Sequence, residues 1–371
     1  MENKNFLKGF FIILKSFFKK ENKSVKLKKS SSNPIISPRP EKDWESRQTF
    51  NTASIYLDGK IHFLYRAIGK QGFSVLGYAV SKDGINIEDR LDKAAYTLKR
   101  KQNNTKTNSK FSLDYSSGGS VEGCEDPRLT KIGDRIYMTY TTFNGWSLLR
   151  VTLTSISKED FLTKNWEKWE DPVFISPPEE INKNWVIFPE KINGKYAILH
   201  SISPKILIEY VDDLDFNEDE YLSSHYSPSK VEDGWEGLVK GVGPPPIKTE
   251  YGWLVLYHAF DKKDQSRYKI GAMILDYSNP EKILYRAKEP ILEPDSYYEN
   301  NGFKPGIIYS CGANVIDERL FVYYGGADSV ICAATIKLDK SLNSLTQAKI
   351  KKLKFKLFKN IFKQHGISKT F

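Results

Sequence analysis

The chain has 371 residues, of which 40% are hydrophobic and 13% aromatic, ample apolar area for a packed core. Its three cysteines, Cys124, Cys311 and Cys332, are too few and too scattered for a disulfide framework or a CxxC metal site, so a reducing, cytoplasmic compartment and no metal are expected. The net charge of +10 resides in the two ends: residues 1–32 carry +7 and residues 349–371 carry +8, leaving −5 on residues 33–348, without the basic stripe a nucleic-acid partner would require.

The chain opens on MENKNFLKGFFIILKSFFKK, where Phe6, Leu7, Phe10, Phe11, Leu14, Phe17 and Phe18 recur at helical spacing with Lys8, Lys15 and Lys19 off that stripe. The spacing predicts a basic amphipathic helix over residues 1–20. Its apolar run is too short to span a bilayer, and no small-residue cleavage site follows. Residues 21–44, rich in Lys, Ser and Pro, read as a linker and lead-in. At the far end, residues 346–371 repeat the basic amphipathic theme, with Leu353, Leu357, Ile361 and Phe362 on one face. Two uses of these ends stand open: peripheral contact with an anionic membrane surface, or contact between subunits of a homo-oligomer.

From about residue 45 the chain repeats itself. A polar or proline-containing lead leads five times into a strand, a tight turn and a second strand: FNTASIYLDGKIHFLYRA, EDPRLTKIGDRIYMTYTT, FPEKINGKYAILHS, PPPIKTEYGWLVLYHAF and CGANVIDERLFVYYGGAD. Asp-Gly, Gly-Asp, Asn-Gly, Tyr-Gly and Asp-Glu stand at the turns, and the second strands end near Tyr65, Tyr140, His200, His258 and Tyr324. Further strand-like runs such as SVLGYAVS, LLRVTLTSI, ILIEYV and IGAMILD fall between the copies. Five such sheets bury both faces when packed radially, so an all-β, five-bladed β-propeller is expected over residues 45–345, with short amphipathic helical extensions at both termini. A β-sandwich would not require five similar hairpins at this long period.

Five motifs in register, EDPRLTKIGDRIYMTYT, NKNWVIFPEKINGKYAILH, KGVGPPPIKTEYGWLVLYHAF, YKIGAMILDYSNPEKILYRAKEPILEP and YSCGANVIDERLFVYYGGAD, resemble the mannoside phosphorylases of glycoside hydrolase family 130. The resemblance runs from about residue 33 to 340 and leaves the tails uncovered. It implies a five-bladed propeller, which the repeats indicate on their own.

Cleaving a glycosidic bond needs a proton for the leaving oxygen and a nucleophile on the opposite face of the ring. Asp126, at the mouth of the second hairpin, is read as the working acid, although a turn and an ion pair with Arg128 would explain the same residues. By resemblance Asp126 is the general acid, acting through a sugar hydroxyl, and Asn51, Thr52, Arg66, Arg128 and Asp328 surround the mannosyl ring. Lys183, Asn184, Lys240 and His258 match the positions that grip phosphate in the family, with Tyr268 a further candidate. Two ammonium groups, an amide and an imidazole could surround a dianion, with the backbone of Gly241 and Gly243 approaching closely. Arg150 falls at a family arginine position but serves equally as a strand or rim residue.

Three positions depart from the family pattern. Cys124 stands where an aliphatic residue is usual, Ser201 where an arginine is common, and Asn184 where many members carry an acid. These changes bear on the sugar beyond mannose more than on the reaction. The expected function is inverting phosphorolysis of β-mannosides to α-mannose 1-phosphate, with inorganic phosphate as co-substrate and no cofactor. A β-mannosidase, a related β-mannosyltransferase and a non-catalytic glycan-binding propeller are the alternatives; Glu125 or Glu190 close to the bound anion would favour the hydrolase.

Overall fold

The structure, a computed structural model, describes residues 25–98, 118–143, 149–217, 219–223 and 234–338. The expected terminal helices over 1–20 and 346–371 lie outside the described residues. Within them the protein is all-β: twenty strands are joined by two short helices, Lys158–Leu162 and Tyr297–Asn300, and one 3-10 turn, Trp166–Lys168.

After the short strand β1 (Lys28–Lys29), the strands fall into five antiparallel meanders. The first is β2 (Gln48–Leu57), β3 (Lys60–Ile68), β4 (Phe73–Ser81) and β5 (Ile87–Arg90). The second is β6 (Glu122–Ile132), β7 (Arg135–Phe143), β8 (Arg150–Ser157) and β9 (Val173–Phe174). The third is β10 (Val186–Ile187), β11 (Tyr196–Ser201) and β12 (Leu207–Val211). The fourth is β13 (Leu238–Val242), β14 (Ile247–Thr249), β15 (Gly252–Asp261), β16 (Asp264–Leu275) and β17 (Ile283–Arg286), and the fifth is β18 (Ile308–Ile316), β19 (Arg319–Gly326) and β20 (Val330–Lys337). A short parallel contact, Phe73 opposite Glu122 and Ser74 opposite Gly123, joins the first two into one hydrogen-bonded sheet, and no sheet closes on itself among the described residues.

The hairpin turns follow from their residues. Asp58 and Gly59, Asn193 and Gly194, and Asp317 and Glu318 all have positive φ, the paired left-handed conformation that matches the twist of a two-residue hairpin. A strand covered on both faces is largely apolar throughout; in β15 every residue from Gly252 to Phe260 is buried.

Five apolar clusters separate neighbouring meanders. One packs Leu64 and Tyr78 of the first against Met138 and Tyr140 of the second. The next joins Val151 and Leu153 to Trp185 and Ile198. Val186 and Leu199 then meet Val255 and Met273, and Leu256 and Ile270 meet Leu320 and Val322. The last brings Phe321 and Tyr323 of the fifth meander onto Phe63 and Tyr65 of the first.

A polar device recurs across three meanders. Tyr65 on β3 donates to Glu45 across 2.8 Å, and Arg90 on β5 donates to the same carboxylate across 2.6 Å. Tyr257 on β15 and Arg286 on β17 hold Glu236 at 2.8 and 2.9 Å in the same way. Trp44 and Trp235, each preceding the acid, stack on the two tyrosines at 6.4 and 6.1 Å. Gly77 and Gly271 stand opposite those tyrosines, where an added Cβ would come within 2.3 Å of the ring. In the fifth meander Tyr324 donates to Glu299 across 2.8 Å, and the cation is Lys29 of β1, 2.5 Å away.

That contact ties the described part of residues 21–44, read as a linker and lead-in, to the fifth meander. β1 is the outer strand of the fifth meander, with Lys28 opposite Thr335, and Leu27 and Ile36 are buried. The strand is two residues long and its partner lies at the far end of the chain, so local composition gave no sign of it.

Candidate active site

The site is assembled from interruptions in the first strands of the meanders. Ladder register breaks between Phe50 and Ala53 on β2, Glu125 and Arg128 on β6, Val239 and Gly241 on β13, and Ser310 and Gly312 on β18. A bulge leaves residues out of the ladder and re-aims their side chains. The residues so displaced include Asn51, Thr52, Asp126 and Lys240. Asn51 and Asp126 take φ of 46° and 50°, and Asn184, just before β10, takes 66°. Asn and Asp tolerate this left-handed region better than other side chains. Pro127 lacks the N–H that the broken ladder cannot use. Asp328, in the β19–β20 turn, is left-handed too, at 49°.

Asp126 is buried beside Arg66 and Asn51. Asn51 Nδ2 donates to Oδ1 across 2.8 Å, and Arg66 Nη1 does so across 3.2 Å. Arg66, itself buried, also donates from Nη2 to Glu125 and Ser120 at 2.9 Å and from Nε to Ser74 at 2.6 Å, with its guanidinium 4.7 Å from the Phe50 ring. The ion-pair partner of Asp126 is therefore Arg66 and not the adjacent Arg128. Burial pushes the Asp126 carboxyl up, but Arg66, Arg128, Asn51 and Lys183 outweigh it and hold its pKa below the usual carboxylate value.

Arg128 crosses to the other side of the site. Its Nη2 donates to Asn184 Oδ1 across 2.9 Å and to the Tyr309 hydroxyl oxygen across 3.2 Å. Tyr309 donates to the same Asn184 oxygen, and Asn184 Nδ2 donates to the Lys240 carbonyl across 3.1 Å. Asn184 thus ties the second, third, fourth and fifth meanders together, with one amide hydrogen left over. A Cβ on Gly241 would meet Asn184 Nδ2 at 2.7 Å, which makes this glycine necessary to the close approach.

His258 is wholly buried and stacks on Tyr309, ring centroids 3.9 Å apart. The Ser310 N–H donates to Nε2 across 2.8 Å, so a neutral ring carries its proton on Nδ1, a buried atom with no partner among the described residues. Burial, with Arg128 nearby, pushes the imidazole down to about 3. It is a neutral donor, and the positive charge of this side comes from Arg128 and the lysines.

Lys183 is half-buried. Desolvation lowers its ammonium, while Glu125 and Asp126 support it, which sets it within electrostatic range of the acid. Lys240 is exposed overall, with its ammonium 5.7 and 6.0 Å from the stacked rings of Phe260 and Tyr268. Desolvation, then the charges of Lys183 and Lys304, lower it. Burial and Asp328 raise the Tyr268 hydroxyl to about 12, so it stays a donor at neutral pH. Asp328 is raised by burial; Lys304 and Arg66 oppose that, and Asp126 adds to it.

The remaining expected residues are more peripheral. Thr52 is buried and gives its hydroxyl proton to the Ala53 carbonyl at 2.7 Å, leaving only lone pairs for a ligand. Arg150 lies 4.0 Å over Phe174 and donates to the Ser176 carbonyl. Glu190 is half-exposed and paired with Lys248 at 2.5 Å, and Glu125 is buried against Arg66 and Ser120. Among the described residues no group of three or more His, Cys, Asp or Glu stands ready to hold a metal ion. Sequence reading missed Lys304, 3.5 Å from Asp328, and Gln48, whose Nε2 holds the carbonyls of Gly118 and Asp328 at 2.8 Å. Neither carries a motif.

The site thus holds an acid paired with an arginine, with Lys183 among the charges that act on it. The chain belongs to glycoside hydrolase family 130, whose profile, described as β-1,4-mannooligosaccharide phosphorylase, matches residues 26–347. It is 40% identical over 325 residues to a 1,2-β-oligomannan phosphorylase of Thermoanaerobacter sp. (strain X514), covering 85% of this chain and 98% of the relative. A β-1,2-mannobiose phosphorylase of the same organism is 37% identical over 328 residues, again covering 85% and 98%. Among solved structures, the β-1,2-mannobiose phosphorylase of Listeria innocua in complex with β-1,2-mannobiose superposes with a TM-score of 0.65 at 26% identity, covering 86% of this chain and 99% of that one.

Proposed function

We propose that the five meanders are the blades of a five-bladed propeller and that its funnel carries out inverting phosphorolysis of β-1,2-linked mannosides. The cyclic order of the five cores, with the fifth meander packed on the first, supports the propeller. The names of the relatives support the linkage and the use of phosphate.

The observation that carries the reaction is the charge facing Asp126. Lys183 lies within electrostatic range of it, whereas Glu125 is neutralised by Arg66 and Glu190 is bound to Lys248. A hydrolase needs a second carboxylate to activate water; this site offers cations to hold an anion. A phosphate oxygen attacks the anomeric carbon of the mannosyl ring as the glycosidic C–O bond breaks. Asp126 gives its proton, through a sugar hydroxyl, to the leaving oxygen, and the hydrogen of monohydrogen phosphate restores it. Asp126 is ionised in the free site, so the proton must be loaded when substrates bind. A phosphate dianion bound beside Lys183 opposes the positive field of Arg66, Arg128 and Lys183 that holds the carboxyl down, which raises its pKa when the nucleophile is in place.

Proton NMR of the sugar released from β-1,2-mannobiose in phosphate buffer tests this reading. The transferred mannosyl unit should appear first as the α-anomer of mannose 1-phosphate, beside one free mannose from the reducing end; a β-phosphate, or two free mannoses per disaccharide, would refute it.

A further inference from the structure

Lys304 belongs to no motif, yet the fold fixes it at the site. It follows the short helix Tyr297–Asn300 in a loop clamped onto the β19–β20 turn. The Phe303 N–H donates to Ser329 Oγ across 2.8 Å, the Lys304 N–H to the Ala327 carbonyl across 2.9 Å, and the Ala327 N–H to the Ile307 carbonyl across 2.8 Å. This clamp grips both neighbours of Asp328. Lys304 Nζ then lies 3.5 Å from Asp328 Oδ2, long for a charge-assisted hydrogen bond, and meets no other carboxylate among the described residues.

An ammonium group has three donors, so most of this one is unused. Its side chain is 44% exposed, open to an incoming solute. It is also within electrostatic range of Lys183 and Lys240. Three like charges near enough to lower one another repel until a multiply charged anion is bound, and that relief is affinity for the anion.

We propose that Lys304 is a third phosphate-binding lysine, turning one N–H to Asp328 and the others to phosphate oxygens. It would then link the residue expected at the mannosyl ring to the nucleophile, and its charge would select phosphate over water. The inference rests on the phosphorolysis reading and adds to it a residue outside the family's motifs.

Kinetics of Lys304→Met, Lys304→Gln and Lys304→Arg on β-1,2-mannobiose, paired with calorimetric titration of inorganic phosphate, provide the test. Either neutral variant should raise the phosphate KM and weaken phosphate binding by about tenfold or more, leave the mannobiose KM within about twofold, and be largely rescued by arginine. Unchanged phosphate affinity, or a rise confined to the mannobiose KM, would overturn it. Should the wild-type protein turn over without phosphate, the phosphorolysis reading fails, and the titration still judges Lys304: equal phosphate binding by wild type and both neutral variants refutes its role, and selective loss supports it.

Discussion

Arg66 Nη1 stands 3.2 Å from Asp126 Oδ1, and both side chains are withdrawn from solvent. This pair sets the charge of the acid before any substrate arrives. Asp126→Asn removes the transferable proton and should lower phosphorolysis by about 10²–10⁴-fold. Phosphate affinity should hold or rise, because a negative charge facing the lysines is gone. Calorimetric titration alongside turnover checks both; a parallel loss of phosphate binding would point to a collapsed site.

The same pair predicts a pH signature. The alkaline limb of kcat/KM reports the free enzyme, where Asp126 lies below the usual carboxylate range, and that of kcat reports the loaded complex. Bound phosphate should move that limb to higher pH in kcat than in kcat/KM. Coincident limbs would mean that phosphate does not load the acid.

Lys240→Ala removes a cation from the nucleophile's side of the site. Phosphorolysis should fall by roughly 10²-fold or more, mostly through the phosphate KM, while any slow hydrolysis stays nearly intact. Equal loss of both activities in a side-by-side assay would remove Lys240 from anion binding.

His258 makes stability depend on pH. Its folded pKa, about 3, lies below the unfolded value, so between these values the unfolded chain binds the extra proton. The stabilisation of the neutral ring is full above about pH 6.5 and is lost as pH falls toward 3, at up to roughly 1.4 kcal/mol per pH unit. Denaturant melts of wild type and His258→Gln at pH 7 and pH 5 measure the difference in slope, and identical slopes would contradict a buried neutral histidine.

Glu45 is fully buried among Arg39, Arg90 and Tyr65. Glu45→Gln would leave two guanidinium groups without their counter-charge and should destabilise the protein by about 3 kcal/mol, less than for a wholly buried pair because both arginines touch solvent. The midpoint of urea unfolding reports it.

Much of the fold was legible because each hairpin carries its own turn chemistry, as at Asp58 and Gly59 or Asn193 and Gly194, and local chemistry is visible in local sequence. β1 was not, since Lys28 pairs with Thr335 through two residues that resemble a tail. The Trp-Glu dipeptides at residues 44–45 and 235–236 are plain in the chain, yet they gain meaning only beside Tyr65 and Tyr257. In the site, Asp126 was marked by its place at the mouth of the second hairpin and Asn51 by the family resemblance, but the bulges that aim them depend on pairing across strands. The hydrogen bonds of Arg128 to Asn184 and Tyr309 were not legible, because that arrangement needs the packed meanders to exist. Lys304 stayed hidden because its place is set by a loop docked on a distant turn.

Phosphorolysis makes the anion held near Asp126 the second reactant. Purified protein should be incubated with β-1,2-mannobiose with and without inorganic phosphate, and mannose and mannose 1-phosphate quantified over time. Consumption should depend on phosphate and yield one α-mannose 1-phosphate for each mannose released. Steady production of two mannoses per disaccharide, at a rate indifferent to phosphate, would contradict it.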